Sequence, residues 1–237
     1  MDLSKRLQAV ADLVTAGYRV ADIGTDHAYI PIYLVENHLS PHVVAMDIKE
    51  GPLCRAREHV AECGLAQQIE LRLSDGMENL KPGEADAVVI AGMGGPLMTG
   101  ILKKQWDVTC SLKECILQPQ SEIAGVRAFL LQEGFSFLQE DMVLDAGKYY
   151  PMMKVKPPSD MQTEQEIWTK TELRYGKFLL ESKNPVLRKF LERELRREEE
   201  LLGALKEAKG ARAMQRREEI LQEIAYIQDG MAYYGAI

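Results

Sequence analysis

The chain has 237 residues, 46% hydrophobic and 27% charged, so it can bury a core and is not a disordered polypeptide. Its formal net charge of −7, taken alone, disfavours nucleic acid as a partner. No apolar run approaches the roughly 18 residues of a membrane span. The N-terminus lacks signal-peptide character, and the four cysteines form no C-x-x-C pair. We therefore expect a cytoplasmic protein with reduced thiols, no membrane segment and no metal site.

The first two thirds of the chain alternate between predicted strands and predicted helices. The predicted strands are Tyr18–Ile23, His42–Asp47, Ile69–Leu73, Asp86–Ala91 and Cys115–Leu117. The predicted helices cover residues 4–16, 30–35, 52–63 and 122–133. Strand–helix alternation of this kind predicts a parallel sheet with right-handed crossovers.

Two further strands, at residues 135–144 and 149–155, are predicted to form a hairpin around Asp145-Ala146-Gly147-Lys148. The paired prolines Pro157 and Pro158 then cannot continue a sheet. We therefore expect an α/β domain over residues 1–157 and a separate C-terminal domain over residues 158–237.

The C-terminal domain is predicted to be helical. Apolar residues recur at helical spacing over residues 186–205 and 214–231, with Gly210 between the two stretches. This pattern predicts an antiparallel, coiled-coil-like helical hairpin. Because such a hairpin can bury its apolar stripe against itself, we expect a monomer.

Basic residues in the two long helices fall at helical spacing, although the domain as a whole is close to neutral. The residues are Lys189, Arg193, Arg196, Arg197, Lys209, Arg212 and Arg216. One interpretation is a solvated face whose charges pair with nearby glutamates within each helix. The other is a positive stripe that follows a phosphate backbone.

Acidic residues and glycines follow four of the predicted parallel strands. Asp22 and Gly24 end the first strand, Asp47 ends the second, and Asp75-Gly76 follows the third. Gly92-Met93-Gly94-Gly95 follows the fourth. Each feature alone is also compatible with an ordinary turn or cap. Together they lie at one edge of the sheet, where open α/β folds bind ligands, and Asp47 suits the hydroxyls of a ribose.

Two common nucleotide-binding fingerprints are absent from the sequence. The first strand is not followed by G-x-G-x-x-G, and the chain contains no G-x-x-x-x-G-K-[ST]. The sequence therefore disfavours an ordinary dinucleotide-dependent dehydrogenase and an ATPase.

The chain resembles the S-adenosylmethionine-dependent class I methyltransferases. Within that class it is most similar to the TrmK family, the bacterial tRNA (adenine-22-N1)-methyltransferases. The similarity rests on LSKRL (3–7), ADIGTDHAYIP (21–31), AMDI (45–48), SDGM (74–77), IAGMGG (90–95) and ILQPQ (116–120), together with the helical tail.

The resemblance implies a Rossmann-like seven-stranded sheet with a C-terminal helical hairpin, and S-adenosylmethionine as cofactor. By resemblance, Asp22 would brace the first loop while Gly24, Thr25, Asp26 and His27 face the methionine part. The resemblance also implies that Asp47 contacts the ribose and that Ile48, Asp75 and Gly76 contact the adenine. Gly92 and Met93 would line the reactive end.

The first loop departs from the broad class pattern D-x-G-x-G-x-G, because Asp26 and Ala28 replace two glycines. Asp26 therefore has two open roles, binding the cofactor's amino group or facing the substrate. Transfer to N1 of adenine leaves positive charge on the base, which a carboxylate or an aromatic ring would stabilise. Asp26 and Tyr29 are the catalytic candidates, with His27 as a third whose role we expect to be structural.

The resemblance also implies tRNA as the substrate. The basic residues of the tail and Arg6 would contact its backbone, and Gln118 is a weaker candidate for contacting the edge of the base. GMGG in place of N-P-P-[YF] favours a ring nitrogen over an exocyclic amine. The alternatives are a methyltransferase acting on a protein or small molecule, and a non-catalytic RNA-binding protein that retains the cofactor pocket.

Overall fold

The computed structural model describes residues 2–158, 166–205 and 210–235. The chain divides into two compact units, Met1–Glu166 and Ile167–Ile237. The break lies beyond the 157/158 boundary that the paired prolines suggest. Among the described helices, none has the length and apolar character that crossing a membrane requires.

The first unit is built on one seven-stranded sheet in the order β3-β2-β1-β4-β5-β7-β6. The strands are β1 (Val20–Ile23), β2 (Val43–Asp47), β3 (Ile69–Leu73), β4 (Ala87–Met93), β5 (Glu114–Pro119), β6 (Ser136–Asp145) and β7 (Lys148–Lys156). The five strands β1 to β5 are parallel, and β7 joins β5 antiparallel. This arrangement confirms the seven-stranded, Rossmann-like methyltransferase sheet.

Six helices accompany this sheet. They are α1 (Lys5–Asp12), α2 (Tyr29–Glu36), α3 (Glu50–Glu62), α4 (Gly95–Lys104), α5 (Trp106–Ser111) and α6 (Ile123–Gln132). Apolar residues of α1, α2 and α3 form one buried cluster with alternate residues of the strands, including Val20, Val43 and Ala45. The alternation follows from the period of two along a strand.

The β6–β7 hairpin forms as predicted. Asp145 pairs with Lys148, and the two residues between them, Ala146 and Gly147, have φ values of 46° and 77°. Positive φ at both central positions is the requirement of a two-residue turn that matches the twist of the strands.

The predicted end of the fourth strand is wrong. The strand continues past Ala91 to Met93, and its register with β5 shifts between these two residues. Gly92 occupies the shift with φ of 79°, a conformation that glycine adopts readily. The glycine cluster therefore begins inside the strand, as a bulge, rather than after it.

The second unit is helical, with α7 (Lys170–Tyr175), α8 (Lys177–Glu181), α9 (Pro185–Ala204) and α10 (Ala211–Ala232). Asn184 caps α9 by accepting from the backbone N–H groups of Val186 and Leu187. The Tyr234 hydroxyl, just after α10, donates to the Asn184 carbonyl at 2.8 Å. The end of α10 therefore lies beside the start of α9, which confirms the antiparallel helical hairpin.

Candidate active site

The carboxyl ends of β1 and β4 enclose a cleft of about 340 Å³. These two strands are neighbours although β2 and β3 separate them in sequence, so the chain reverses its winding direction between them. Such a switch point is where open α/β sheets bind ligands. Five residues predicted to bind the cofactor or to take part in catalysis line the cleft: Asp22, Gly24, Asp26, Tyr29 and Gly92.

Gly24 forms the turn out of β1. It has φ of 80°, and its N–H and that of Thr25 both donate to the carbonyl of Met46, at 2.8 and 2.9 Å. A Cβ at residue 24 would lie 2.2 Å from Cε of Met93. The first loop therefore passes close to the end of β4, and a side chain at residue 24 would displace the tip of the Met93 side chain.

Asp22 is the last but one residue of β1 and is only 6% exposed, yet it reaches the cleft. Burial raises the pKa of this carboxyl from 3.8 to about 6. The cleft therefore contains a carboxylate that a cationic ligand group would stabilise.

The departure from the glycine pattern has a visible consequence in the backbone. His27 and Ala28 have φ of 62° and 54°, so the loop keeps a left-handed conformation at a position where the broad class has glycine. Non-glycine residues in this conformation cost on the order of 1 kcal/mol or more. Strain of this kind concentrates at functional sites.

The three catalytic candidates lie together: Asp26 and Tyr29 line the cleft, and His27 contacts both. The rings of His27 and Tyr29 are stacked, with centroids 5.2 Å apart and planes inclined by 10°. Asp26 is largely exposed, and its Oδ1 accepts from Nη2 of Arg55 at 2.8 Å. The third member of the ring stack is His59, whose centroid is 5.1 Å from that of His27 and whose Nδ1 lies 3.1 Å from the His27 carbonyl oxygen.

Sequence reasoning missed Arg55 and His59. Both lie on α3, whose sequence has the character of an ordinary amphipathic helix, and neither belongs to a motif. Only the fold brings this helix to the first loop.

Asp47 is the last residue of β2, and Ile48 follows it. Oδ1 of Asp47 accepts from the N–H of Lys49 at 2.7 Å, which orients the carboxylate. Ile48 is 60% exposed. An exposed isoleucine beside an oriented carboxylate offers an apolar surface for a flat base next to an acceptor for its sugar.

Asp75 lies on a second cavity of about 250 Å³, which Met77, Pro96 and Leu97 also line. Its Oδ2 accepts from Nζ of Lys104 at 3.0 Å, and the same ammonium contacts Glu78. Gly76 has φ of 57°. Lys104, on α4, is another contact that the sequence alone did not reveal, because it lies 29 residues from Asp75.

Arg6 lies on the wall of the cleft rather than on an open surface. Its Nη1 is 3.5 Å from where a Cβ of Gly92 would stand, and Gln120 approaches the same point to 3.6 Å. Its Nη1 also donates to Oε1 of Gln118 at 3.0 Å. The interpretation of Gln118 as a base-contacting residue is wrong, because it is fully buried and its Nε2 donates to the carbonyl of Pro119.

The basic residues of α9 are exposed, on the side of the helix opposite the buried Leu187 and Leu191. Several pair with glutamates: Arg193 and Arg197 with Glu194, and Arg216 of α10 with Glu219. Exposed pairs of this kind contribute little stability and exchange readily. The predicted Lys209 lies outside the described residues.

Within the part of the chain that the structure describes, no group of three or more His, Cys, Asp or Glu residues could hold a metal ion. The cysteines Cys54, Cys63, Cys110 and Cys115 are all free thiols.

Residues 3–153 match a family model described as a methyltransferase domain. The Bacillus subtilis (strain 168) tRNA (adenine(22)-N(1))-methyltransferase is 35% identical over 208 residues, covering 88% of this chain and 87% of that protein. The crystal structure of the B. subtilis M1A22 tRNA methyltransferase TrmK matches with a TM-score of 0.83 at 33% identity, over 97% of this chain and 99% of that chain. A Streptococcus pneumoniae chain in complex with S-adenosyl-L-methionine matches with a TM-score of 0.85 at 29% identity, over 97% and 100% respectively.

Proposed function

Since this chain belongs to the family of tRNA (adenine(22)-N(1))-methyltransferases, we propose that its cleft serves methyl transfer from S-adenosylmethionine to N1 of adenine 22 in tRNA. The observation that carries the proposal is the meeting of Asp22, Asp47 and Asp75 with Gly24 and Gly92 at one edge of one sheet. Three carboxylates and two glycines whose backbone carries no Cβ match the parts of an adenosine linked to an amino acid.

The residues present fit this cofactor. Gly24 lines the cleft with φ of 80° and has no Cβ, so its backbone can approach a ligand there. Asp47 is an oriented acceptor for two ribose hydroxyls, and the exposed Ile48 offers the apolar surface that an adenine ring requires. Asp75 supplies an acceptor for the exocyclic amine.

When bound, S-adenosylmethionine supplies an electrophilic methyl group on a sulfonium sulfur. The N1 lone pair of adenine is free at neutral pH, so no residue of the chain has to remove a proton before attack. The task of the protein is to hold the base in line and to exclude water, and positioning alone is worth several kcal/mol.

Positive charge arises on the base when N1 is methylated, and Asp26 and Tyr29 are placed to stabilise it. Asp26 presents a carboxylate to the cleft, where it is held by Arg55. It can stabilise the charge directly or accept a proton from the exocyclic amine. Tyr29 lies on the cleft wall with its ring supported by His27, so its face can stack on the cationic base.

A base inside folded tRNA has to leave its stack to reach such a cleft. We assign backbone binding to the exposed basic face of α9, formed by Lys189, Arg193, Arg196 and Arg197, and to Arg212 and Arg216 of α10. The arginines of these pairs are exposed, Glu219 is exposed and Glu194 is partly buried, and pairs at the surface contribute little stability, so phosphates can replace the glutamates at small cost.

We also propose that the protein acts as a monomer in the cytoplasm. The helical hairpin buries Leu187, Leu191, Ile220, Ile224 and Ile227 within the second unit. The free thiols suit a reducing compartment, as does a tRNA substrate.

The proposal is tested by incubating the protein with methyl-labelled cofactor and unmodified tRNA, then digesting the RNA to nucleosides. Label in 1-methyladenosine is the expected result. Label in N6-methyladenosine, in the protein or in a small molecule would contradict it, and so would cofactor binding without any transfer.

A further inference from the structure

Arg6 belongs to the cleft wall, although its place near the N-terminus suggests a surface residue. It lies in the first turn of α1 and is half-buried. The cleft that it lines also contains Asp22 and Asp26. The same cleft therefore holds one basic and two acidic side chains.

The guanidinium of Arg6 is held from two sides. Nε2 of the buried Gln118 donates to the Pro119 carbonyl, which turns Oε1 toward Arg6. The Arg6 guanidinium also lies 5.5 Å from the centre of the Tyr150 ring. These contacts fix the side chain while using only one of its five N–H donors in a hydrogen bond that the structure records.

The backbone of Arg6 is anchored as well. Its N–H donates to Oδ2 of Asp145 at 3.1 Å, and Asp145 begins the tight turn between β6 and β7. The hairpin thus positions the start of α1 against the sheet. Ser4 caps the same helix by accepting from the N–H of Leu7.

The two arginines of the site differ in their partners. Arg55 pairs with the Asp26 carboxylate, whereas the contacts recorded for the Arg6 side chain are the neutral groups of Gln118 and Tyr150. A positioned guanidinium with unused donors, in the same cleft as two carboxylates, suits a ligand that carries both an anionic and a cationic group.

We propose that Arg6 binds the α-carboxylate at the methionyl end of S-adenosylmethionine, with Gln118 as its positioning residue. This assignment rests on the proposed function. It moves Arg6 from the tRNA-binding set to the cofactor-binding set, because its guanidinium lies beside Gly92 in the cleft whereas the basic residues of α9 are exposed. The α-ammonium then falls beside the carboxyl of Asp22, which lines the same cleft.

The test compares binding of S-adenosylmethionine with binding of its decarboxylated form, which keeps the amine, the sulfonium and the adenosine. Affinities are measured by titration calorimetry for the wild type, Arg6→Gln and the matched control Lys5→Gln. Loss of a charge-assisted contact is worth about 10- to 100-fold in affinity. We expect Arg6→Gln to lose affinity for the complete cofactor by this factor. Its affinity for the decarboxylated form should fall by less than about threefold. Lys5→Gln should bind both ligands as the wild type does.

Three outcomes would overturn the assignment. Equal losses for both ligands would make Arg6 a support for the cleft rather than a carboxylate contact. If Arg6→Gln bound the cofactor as the wild type does but bound tRNA more weakly, Arg6 would belong to the tRNA-binding residues. Unchanged binding of all ligands would leave it without either role.

A second variant tests the positioning role and separates it from misfolding. Gln118→Leu should reduce the preference for the complete cofactor over the decarboxylated form, because Arg6 loses its fixed direction. The ratio of two affinities within one variant is independent of the folded fraction. An unchanged ratio in Gln118→Leu contradicts the positioning role. Failure of the proposed function would instead appear as absence of methyl transfer by the wild type.

Discussion

Gly24 and Met93 approach each other so closely that a Cβ on the first would lie 2.2 Å from Cε of the second. The contact joins the turn after β1 to the end of β4, beside the cleft that Gly24 lines. A side chain at residue 24 would have to displace the tip of Met93 and adopt a positive φ of 80°.

Gly24→Ala should therefore weaken S-adenosylmethionine binding by at least about tenfold and destabilise the fold by about 1–3 kcal/mol, since it adds an overlap and a strained positive φ. Calorimetric titration and urea unfolding measure the two effects. Adding Met93→Ala to Gly24→Ala removes the overlap but not the strain, so part of the loss should return. Wild-type affinity in the single variant would contradict this account of the cleft.

The roles of Asp26 and Tyr29 predict a separation of binding from transfer. Asp26→Ala and Tyr29→Ala should bind the cofactor within about threefold of wild type and lose about 10²-fold or more in the rate of methyl transfer, the usual scale for such groups. Single-turnover kinetics with saturating tRNA measures the rate. Full activity in both variants would remove these residues from the mechanism.

Because the pKa of Asp22 is raised, the difference in folding stability between the wild type and Asp22→Asn should depend on pH. Burial raises the pKa to about 6, so the folded protein holds this proton more tightly than the unfolded chain, whose pKa is near 3.8. Stability is then lost as pH rises from about 4 to about 6, by on the order of 3 kcal/mol in total. Asp22→Asn has no carboxyl proton to lose at residue 22, so its stability does not fall for this reason as the pH rises.

Urea unfolding of both proteins without cofactor at pH 4.5 and 7.5 measures the effect. The free energy of unfolding of Asp22→Asn relative to wild type should increase by about 2 kcal/mol between the two pH values. Other titrating groups contribute equally to both proteins and cancel in the comparison. A difference that does not vary with pH would show that the carboxyl has an ordinary pKa.

The basic face of α9 predicts a loss of tRNA affinity on charge reversal. Arg193→Glu combined with Arg196→Glu should weaken tRNA binding and reduce its salt dependence, while cofactor affinity stays unchanged. Arg188→Glu is the control for each of the two single reversals, because Arg188 is exposed on the same helix but lies off this face and pairs with Glu192. Filter binding over a range of salt concentrations measures the effect. Equal losses in the control would indicate only a change in net charge.

The features that sequence predicted well are those that local chemistry determines. Asp145, Ala146 and Gly147 specify the hairpin turn by themselves, and the structure forms it. The pattern of apolar residues likewise located the helices α9 and α10 to within a few residues. Where neighbouring residues carry the information, no knowledge of the fold is required.

The features that sequence missed depend on contacts between distant segments. β4 runs two residues further than predicted because Met93 pairs with Pro119 across a bulge at Gly92. Arg55 and Lys104 reach Asp26 and Asp75 from helices 29 residues further along the chain. Nothing in an amphipathic helix pattern indicates which exposed cation will meet a loop.

The central claim is that this chain methylates N1 of adenine 22 in tRNA. The most direct measurement compares methyl incorporation into two transcripts of one tRNA that differ only at position 22, adenine in one and guanine in the other. The account predicts about one methyl group per molecule of the adenine transcript, recovered as 1-methyladenosine, and none in the guanine transcript. Equal incorporation into both transcripts, or incorporation into neither, would contradict it.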